Sequence, residues 1–402
     1  MKRIAIIPPG NLPIPALGGG AVEGLTTYIV EENEKAKACY FTVFNRYNEN
    51  SQLKQMHMAF TDVCVDKHNP FDQIYDKVCL ALRKLSGYSI PYSSAYLNRT
   101  IQRINKQRFD VILVEGNPNY VWKLAEKTNV PTVLHVHTDH VLDSSLHSYQ
   151  QVICYSKKII CVSEYIKKQL SKLPKMSKDK LKVCLNCTDQ EKFNDQVRRS
   201  YRADMRREYG YSDDDVVFAF AGRVEMMKGV GDLVEAFKRC NVVNKKLLII
   251  GGSNFSDSTE TEFIQQLKNE AKLSGGTIVL TGYVDKEELP RYLSMADVFV
   301  SPSKYDEAAP LANIEAMSFG LPIIVSDRGG VKEYANDGAI VLNCDEQLPD
   351  RLCQSMELLG ADKALRQRMG LAAYQQSTNW NVKRYYQDMI DVLTENDQQC
   401  EC

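Results

Sequence analysis

Ser301-Pro-Ser-Lys-Tyr-Asp-Glu-Ala-Ala-Pro-Leu-Ala-Asn-Ile-Glu-Ala-Met-Ser-Phe-Gly-Leu-Pro-Ile-Ile-Val-Ser326 is the stretch whose reading decides the fold. The apolar run Val298 to Val300 enters it as a strand. Pro310 suits the first turn of a helix, Gly320-Leu-Pro322 stops that helix, and Ile323 to Val325 resumes as a strand. A short strand, a helix and another short strand form a βα unit of a parallel sheet. Moving outward, Val216 to Ala221, Lys246 to Gly251, Thr277 to Thr281 and Ala339 to Val341 extend the series. An earlier series runs through Lys2 to Ile7, Tyr40 to Phe44, Val111 to Glu115, Thr132 to His137 and Ile159 to Ser163. The pattern restarts, so the chain reads as α/β with two doubly wound, Rossmann-like domains.

The boundaries follow from composition. Thr188 to Asp214 carries five arginines and no apolar periodicity, which reads as a linker. The first domain is expected over 1–190 and the second over 191–379. The segment 380–402, with Trp380, Tyr385, Tyr386, Met389, Ile390 and Leu393 at helical spacing, is expected to pack back on the first domain. A length of 402 residues needs about two cores of ordinary size. The apolar content of 44% and charged content of 25% are those of a folded protein. A formal net charge of −1 supplies no global field for nucleic acid, so nucleic acid is not an expected partner. The opening apolar run stops at Pro8, which is a strand and not a signal peptide, and no window reaches the roughly 18 residues of a spanning helix. With several of the twelve cysteines inside apolar runs, a reducing, cytoplasmic setting is expected. Cys184-x2-Cys187 lacks a second pair at zinc spacing and reads as buried thiols.

Chemistry concentrates in the quoted stretch. Glu307 falls in the loop and Glu315 on the helix, while Leu311 and Ala312 offer first-turn N–H groups to an anion. A carboxylate holds hydroxyl pairs well because each oxygen accepts separately, so Glu315 suits a ribose and Glu307 a sugar. Taken singly, each glutamate is equally an ordinary helix-start or solvated acid. Ala221-Gly-Arg-Val-Glu-Met-Met-Lys-Gly-Val230 follows a strand and places Arg223 and Lys228 on a loop. Fixed cations there would stabilise negative charge growing on a leaving diphosphate; alone, the pair is more often a solvated surface. His135 and His137 would share one face of a strand, where a histidine is more often structural than catalytic. Asp213-Asp-Asp215 precedes a strand and reads as a cap, not a metal site.

The two clusters together resemble the Glu-x7-Glu and Gly-Arg-x4-Lys-Gly motifs of family 4 retaining glycosyltransferases, which have the GT-B fold of two Rossmann-like domains facing across a cleft. Ser301-Pro-Ser303, Gly320-Leu-Pro322 and Gly329-Gly330-x2-Glu333 match the flanks. The resemblance implies that Arg223 and Lys228 contact a donor diphosphate and that His137 contacts the transferred sugar. Gly18-Gly19-Gly20 resembles the family's loop over the donor phosphates, which nominates Gly19 and Gly20. Ten residues separate Ile7 from Gly18, too many for the dinucleotide fingerprint. Gly282-Tyr-Val-Asp285 resembles the loop that reads the base, with Val284 the candidate. Two departures stand out: Pro310 replaces a frequent glycine and removes an N–H, and Cys187 replaces a glycine in Asn186-x2-Asp189. His135 and His140 have no counterpart in the family pattern.

The implied reaction is same-face transfer of a hexosyl unit from a nucleotide sugar, with UDP the common base, and neither metal nor cofactor. Glu307, His137, Arg223 and Lys228 would act at the reacting groups; Gly19, Gly20, Val284, Leu311, Ala312 and Glu315 would complete the donor site. Nine lysines against Glu164 and Asp179 between Lys157 and Lys182 suit contact with an anionic membrane, although a solvated face reads equally well. A lipid-linked sugar or glycan acceptor in bacterial capsule or exopolysaccharide synthesis, at the inner face of the membrane, is the resulting expectation. A catalytically silent GT-B subunit and a nucleotide-sugar epimerase are the alternatives.

Overall fold

The computed structural model describes residues 1–10, 12–16, 20–46, 58–67, 69–138, 148–253, 261–335 and 337–395. The chain forms two compact units, Met1–Asn186 with Val382–Cys402, and Cys187–Asn381.

The first unit is built on β1 (Lys2–Ile7), β2 (Cys39–Asn45), β3 (Thr61–Val65), β4 (Val111–Glu115), β5 (Thr132–Val136), β6 (Ser156–Cys161) and β7 (Leu181–Val183). They lie in the order β3-β2-β1-β4-β5-β6-β7, and every pairing is parallel. The central strands are buried from end to end, which is why they read as unbroken apolar runs. β3 and β7 escape sequence reading: β3 is Thr-Asp-Val-Cys-Val with an exposed middle, and β7 has three residues.

The second unit has β8 (Val216–Ala221), β9 (Lys245–Ile250), β10 (Ile278–Leu280), β11 (Val298–Ser301), β12 (Ile323–Ser326) and β13 (Ala339–Leu342), in the order β10-β9-β8-β11-β12-β13 and again all parallel. Phe218, Phe220, Leu247, Ile249, Val298 and Val300 belong to its core.

The arginine-rich segment is corrected. Residues Asp195–Glu208 form a helix of the second unit, capped by Asn194, whose side chain accepts from Val197 N. It is held mainly by arginine, with Met205 as its buried apolar residue, so periodicity missed it. Arg202 donates to the carbonyls of Ser294, Met295 and Ala296 at 3.0, 3.0 and 2.9 Å, and Arg206 to Met295 O at 3.0 Å. Asp297 receives both guanidiniums, at 2.5 and 2.6 Å, and also Val217 N at 2.9 Å. Carbonyls at a helix end that lack intrahelical donors are thereby satisfied by charge. Asp215 belongs to the same device: Oδ2 accepts from Ser212 N at 2.6 Å, so it caps a turn.

The last helix, Val382–Thr394, packs in the first unit with Tyr385, Tyr386, Met389, Ile390 and Leu393 buried. Tyr386 donates to Asn33 Oδ1 at 2.9 Å, while Lys2 and Lys158 donate to the terminal carbonyls of Thr394 and Val392 at 2.6 and 3.1 Å. Cations suit a helix carboxyl end.

Candidate donor site and histidine cluster

In the second unit the strand order reverses between β8 and β11, and ligands of open α/β sheets bind outside the carboxyl ends of strands at such a point. The candidates Arg223, Lys228, Glu307 and Glu315 lie on the segments leaving these two strands. After β8 the chain makes a single turn, Met226–Lys228, and Gly229 starts the helix Val230–Arg239. Gly229 has φ +69°, and a Cβ there would stand 2.0 Å from the Pro302 carbonyl oxygen. Only glycine lets the two loops meet. Lys304 N donates to Met227 O at 2.8 Å across the same contact.

This approach brings Lys228 Nζ to 2.6 Å from Glu307 Oε1, with the side chains 17% and 10% exposed. Lys228 also lies over the Tyr305 ring, 4.9 Å from its centroid. Burial pushes the ammonium pKa down, but Glu307 and Tyr305 outweigh burial and hold it above its ordinary value. The loop after β12 fixes Glu307: Gly330 N donates to Glu307 O at 2.7 Å and Gly329 N to Asp306 Oδ1 at 3.0 Å. Gly329 has φ +62°, and a Cβ would fall 2.2 Å from Glu307 O.

Pro310 precedes the helix Leu311–Ser318, so the N–H groups of Leu311 and Ala312 occupy its first turn, where no intrahelical acceptor exists. Glu315, one turn further, is buried; burial pushes its carboxyl pKa up and the charge of Lys286 offsets part of that rise. Arg223 is exposed and pairs with Glu225 at 3.2 Å, apart from the Lys228–Glu307 pair. Val284 is half-buried in the loop after β10, which is tied to the end of β9 by Gly251 N donating to Gly282 O at 3.0 Å.

The first unit has its own reversal between β1 and β4. Gly20 ends the loop after β1 and precedes the helix Ala21–Ala36; Gly19 and His140 lie outside the described residues. Glu115 is the last residue of β4, paired in register with His135 on β5, and His137 follows β5. His135 Nδ1 and His137 Nε2 both approach Glu115 Oε2, at 2.9 and 2.8 Å. The two rings stand 4.0 Å apart, as alternate residues on one strand face allow. Side-chain exposure is 0% for Glu115 and His135 and 8% for His137. Burial would push the Glu115 carboxyl up, but His135 and then His137 hold it well below the usual carboxylate range. Burial, then His135, pushes His137 down to about 4.

Glu115 and His135 were not among the sequence candidates. The available signal was two alternate histidines beside an acid ending another strand, and it becomes legible only when β4 and β5 are known to pair. The donor set of the cluster is one that metals use, and its ligand atoms lie within 4.8 Å of one another. Yet N···O separations of 2.8 and 2.9 Å are shorter than the roughly 3.3 Å between ligands of a tetrahedral ion with bonds near 2.0–2.1 Å, and fit hydrogen bonds. Cys184 and Cys187 are buried thiols; burial pushes Cys184 up to about 12 and Cys187 up as well.

Two Rossmann-like parallel sheets, with a cation and a carboxylate joined at the switch point of the second, define a GT-B glycosyltransferase. The chain matches Glycosyl transferases group 1 over residues 202–376 and Glycosyltransferase Family 4 over residues 64–192. The chain is a glycosyltransferase of the hexosyltransferase type, resembling family 4 in its first half and group 1 in its second. Spore coat protein SA of Bacillus subtilis is 23% identical over 412 residues, spanning 98% of this chain and 100% of that protein. The lipopolysaccharide 1,2-N-acetylglucosaminetransferase of Salmonella typhimurium is 23% identical over 84% of each chain. Among solved structures, Anabaena HepE in complex with UDP and glucose matches with a TM-score of 0.76 at 15% identity, covering 98% of this chain and 100% of that one.

Proposed function

We propose that the enzyme transfers a hexosyl unit from a UDP-sugar, with retention of anomeric configuration, to a glycan or lipid-linked sugar in bacterial capsule or exopolysaccharide assembly at the inner face of the membrane. The observation that carries the donor reading is the 2.6 Å Lys228–Glu307 contact at the β8/β11 reversal, next in sequence to a helix start and the buried Glu315. As the glycosidic bond breaks, negative charge grows on the diphosphate; Lys228, Arg223 and the N–H groups of Leu311 and Ala312 stabilise it. Glu307 accepts from sugar hydroxyls, Glu315 from the ribose, His137 contacts the sugar, and the backbone at Val284 meets the base. The acceptor oxygen bonds to the anomeric carbon on the face the diphosphate leaves, and a departing phosphate oxygen takes the acceptor proton. Charge stabilisation by side chains and N–H groups makes a metal unnecessary, so chelation should leave turnover unchanged.

A UDP ligand in the HepE structure and lipopolysaccharide in the Salmonella relative's name support the donor and acceptor classes. The test is a thermal-shift screen of nucleotide sugars followed by determination of the product's anomeric configuration. A ligand at about 100 times its Kd adds roughly 2.7 kcal/mol of stability. No shift with any UDP-sugar, or an inverted product, defeats this reading; a free sugar isomer made without acceptor would instead identify an epimerase.

Membrane contact has a specific support. Along the helix Asp72–Leu85, Phe71, Ile74, Val78, Leu82 and Leu85 are 72, 62, 52, 53 and 85% exposed. Their spacing puts them on one helical face, and the exposed Lys77 and Lys84 can reach anionic headgroups while the apolar face enters the bilayer. The lysines after Lys157 are a weaker surface, because Lys158 is tied to Glu395 at 2.6 Å and Lys180 to Ile153 O at 2.9 Å. No helix among the described residues is long and apolar enough to cross a membrane. Cosedimentation with phosphatidylglycerol vesicles should occur and be lost when Ile74, Val78, Leu82 and Leu85 are all changed to Ser. Unchanged binding, or a helix face covered by a second copy of the chain, refutes it.

A further inference from the structure

We infer that Glu115 is a positioning residue that holds His137 in the Nε2–H tautomer and so presents Nδ1 as a hydrogen-bond acceptor to a hydroxyl of the sugar. This rests on the reading that His137 contacts that sugar. An ionised carboxylate can only accept, so each ring nitrogen within 2.9 Å of Glu115 Oε2 carries its proton. A neutral imidazole has one such proton. His137 therefore donates from Nε2 and keeps its lone pair on Nδ1, and burial together with the neighbouring His135 favours this neutral form.

The burial pattern divides the labour. Glu115 and His135 are wholly enclosed and cannot touch a substrate, whereas His137 retains 8% exposure. His135 shares the same carboxylate oxygen and lies 4.0 Å from His137 between centroids, so it fixes the plane in which the His137 ring sits. Among the described residues, His135 Nε2 and Glu115 Oε1 are buried without a hydrogen-bond partner. Leaving two buried polar atoms unsatisfied costs free energy, and such a cost is tolerated where it serves a function. The function assigned here is selectivity: an acceptor nitrogen rewards a free hydroxyl and rejects a deoxy or methoxy group at that sugar position, which cannot donate.

The test begins with the unaltered protein. Long-range ¹H–¹⁵N NMR of histidine-labelled enzyme should show His137 as the Nε2–H tautomer near neutral pH; an Nδ1–H tautomer, an imidazolium or a stoichiometric metal on Nε2 overturns the inference. This measurement needs no turnover and stands apart from the donor reading. In transfer assays, Glu115→Gln should lower kcat/KM about 10- to 100-fold, an effect on the scale of a lost positioning contact, and should not lower it further in a His137→Ala background. An equal loss in both backgrounds means that Glu115 is merely structural. If Glu115→Gln does not fold, His135→Gln replaces it in the same cycle, with the same outcomes.

Discussion

Both units carry an ion-containing cluster where their strand order reverses, yet the two clusters hold charge differently. In the second unit Lys228 and Glu307 face each other at 2.6 Å with 17 and 10% exposure, each on a loop, and a glycine backbone allows the loops to touch. In the first unit one carboxylate takes two ring nitrogens with almost no exposure, on strand ends. A loop-borne pair with opposite charges can exchange its partner for a charged ligand; a strand-borne cluster inside the sheet can only orient what lies beside it. On the proposed reading, the difference separates a cluster that binds from one that positions.

The comparison predicts its largest effect at Lys228. Lys228→Ala removes a cation from the expected diphosphate position and leaves Glu307 without its partner. Turnover should fall about 100- to 1,000-fold, in line with the loss of one transition-state donor, and stability should fall by about 3 kcal/mol, the lower end for breaking an enclosed ion pair. Steady-state transfer and urea denaturation measure the two separately. A variant with normal turnover would place the charge stabilisation elsewhere.

Legibility followed the same division. Lys228, Glu307 and Glu315 could be nominated because they stand in linear motifs, with glycines forced by close backbone approach at Gly229 and Gly329. Glu115 was hidden because its partners lie on β5 and just after it, and only strand pairing brings them together. The strands were readable where an apolar run marks them, the edges β10 and β13 included, and unreadable at β3, whose middle is exposed, and at the three-residue β7. The helix Asp195–Glu208 was missed because Arg202 and Arg206, which read as solvated charge, bind buried carbonyls and Asp297.

A middle-sized effect is expected from acid. The pKa of His137 falls from an ordinary 6.5 to about 4 in the folded protein. Unfolded protein therefore binds a proton that folded protein refuses, and the contribution of His137 to stability is complete above pH 6.5 and lost as pH falls toward 4. Glu115, also depressed, acts in the same direction but below the ordinary carboxylate pKa of 4.5. Denaturation midpoints measured between pH 7 and 4 should decline by roughly 1–3 kcal/mol equivalent, and His137→Asn should flatten that decline. An unchanged slope in the variant would show that His137 is not the group refusing the proton.

The smallest effect separates binding from stability at Glu315. Burial raises its carboxyl pKa, so its contribution to stability is present below the ordinary 4.5 and lost as pH rises through the folded value. Neutral pH is thus where an ionised Glu315 is least comfortable. Glu315→Gln keeps the shape and cannot ionise, so at pH 7 it should leave stability unchanged or raise it by about 1 kcal/mol, as functional residues that strain a fold often do when replaced. Donor affinity should weaken about 5- to 10-fold, because one acceptor for a ribose hydroxyl becomes weaker while the other is exchanged for a donor. Calorimetric titration with the donor identified by the screen, alongside denaturation of the same preparation, reads both quantities. A variant that binds the donor normally but is more stable would remove Glu315 from the site and leave Lys228 and Glu307 as its centre.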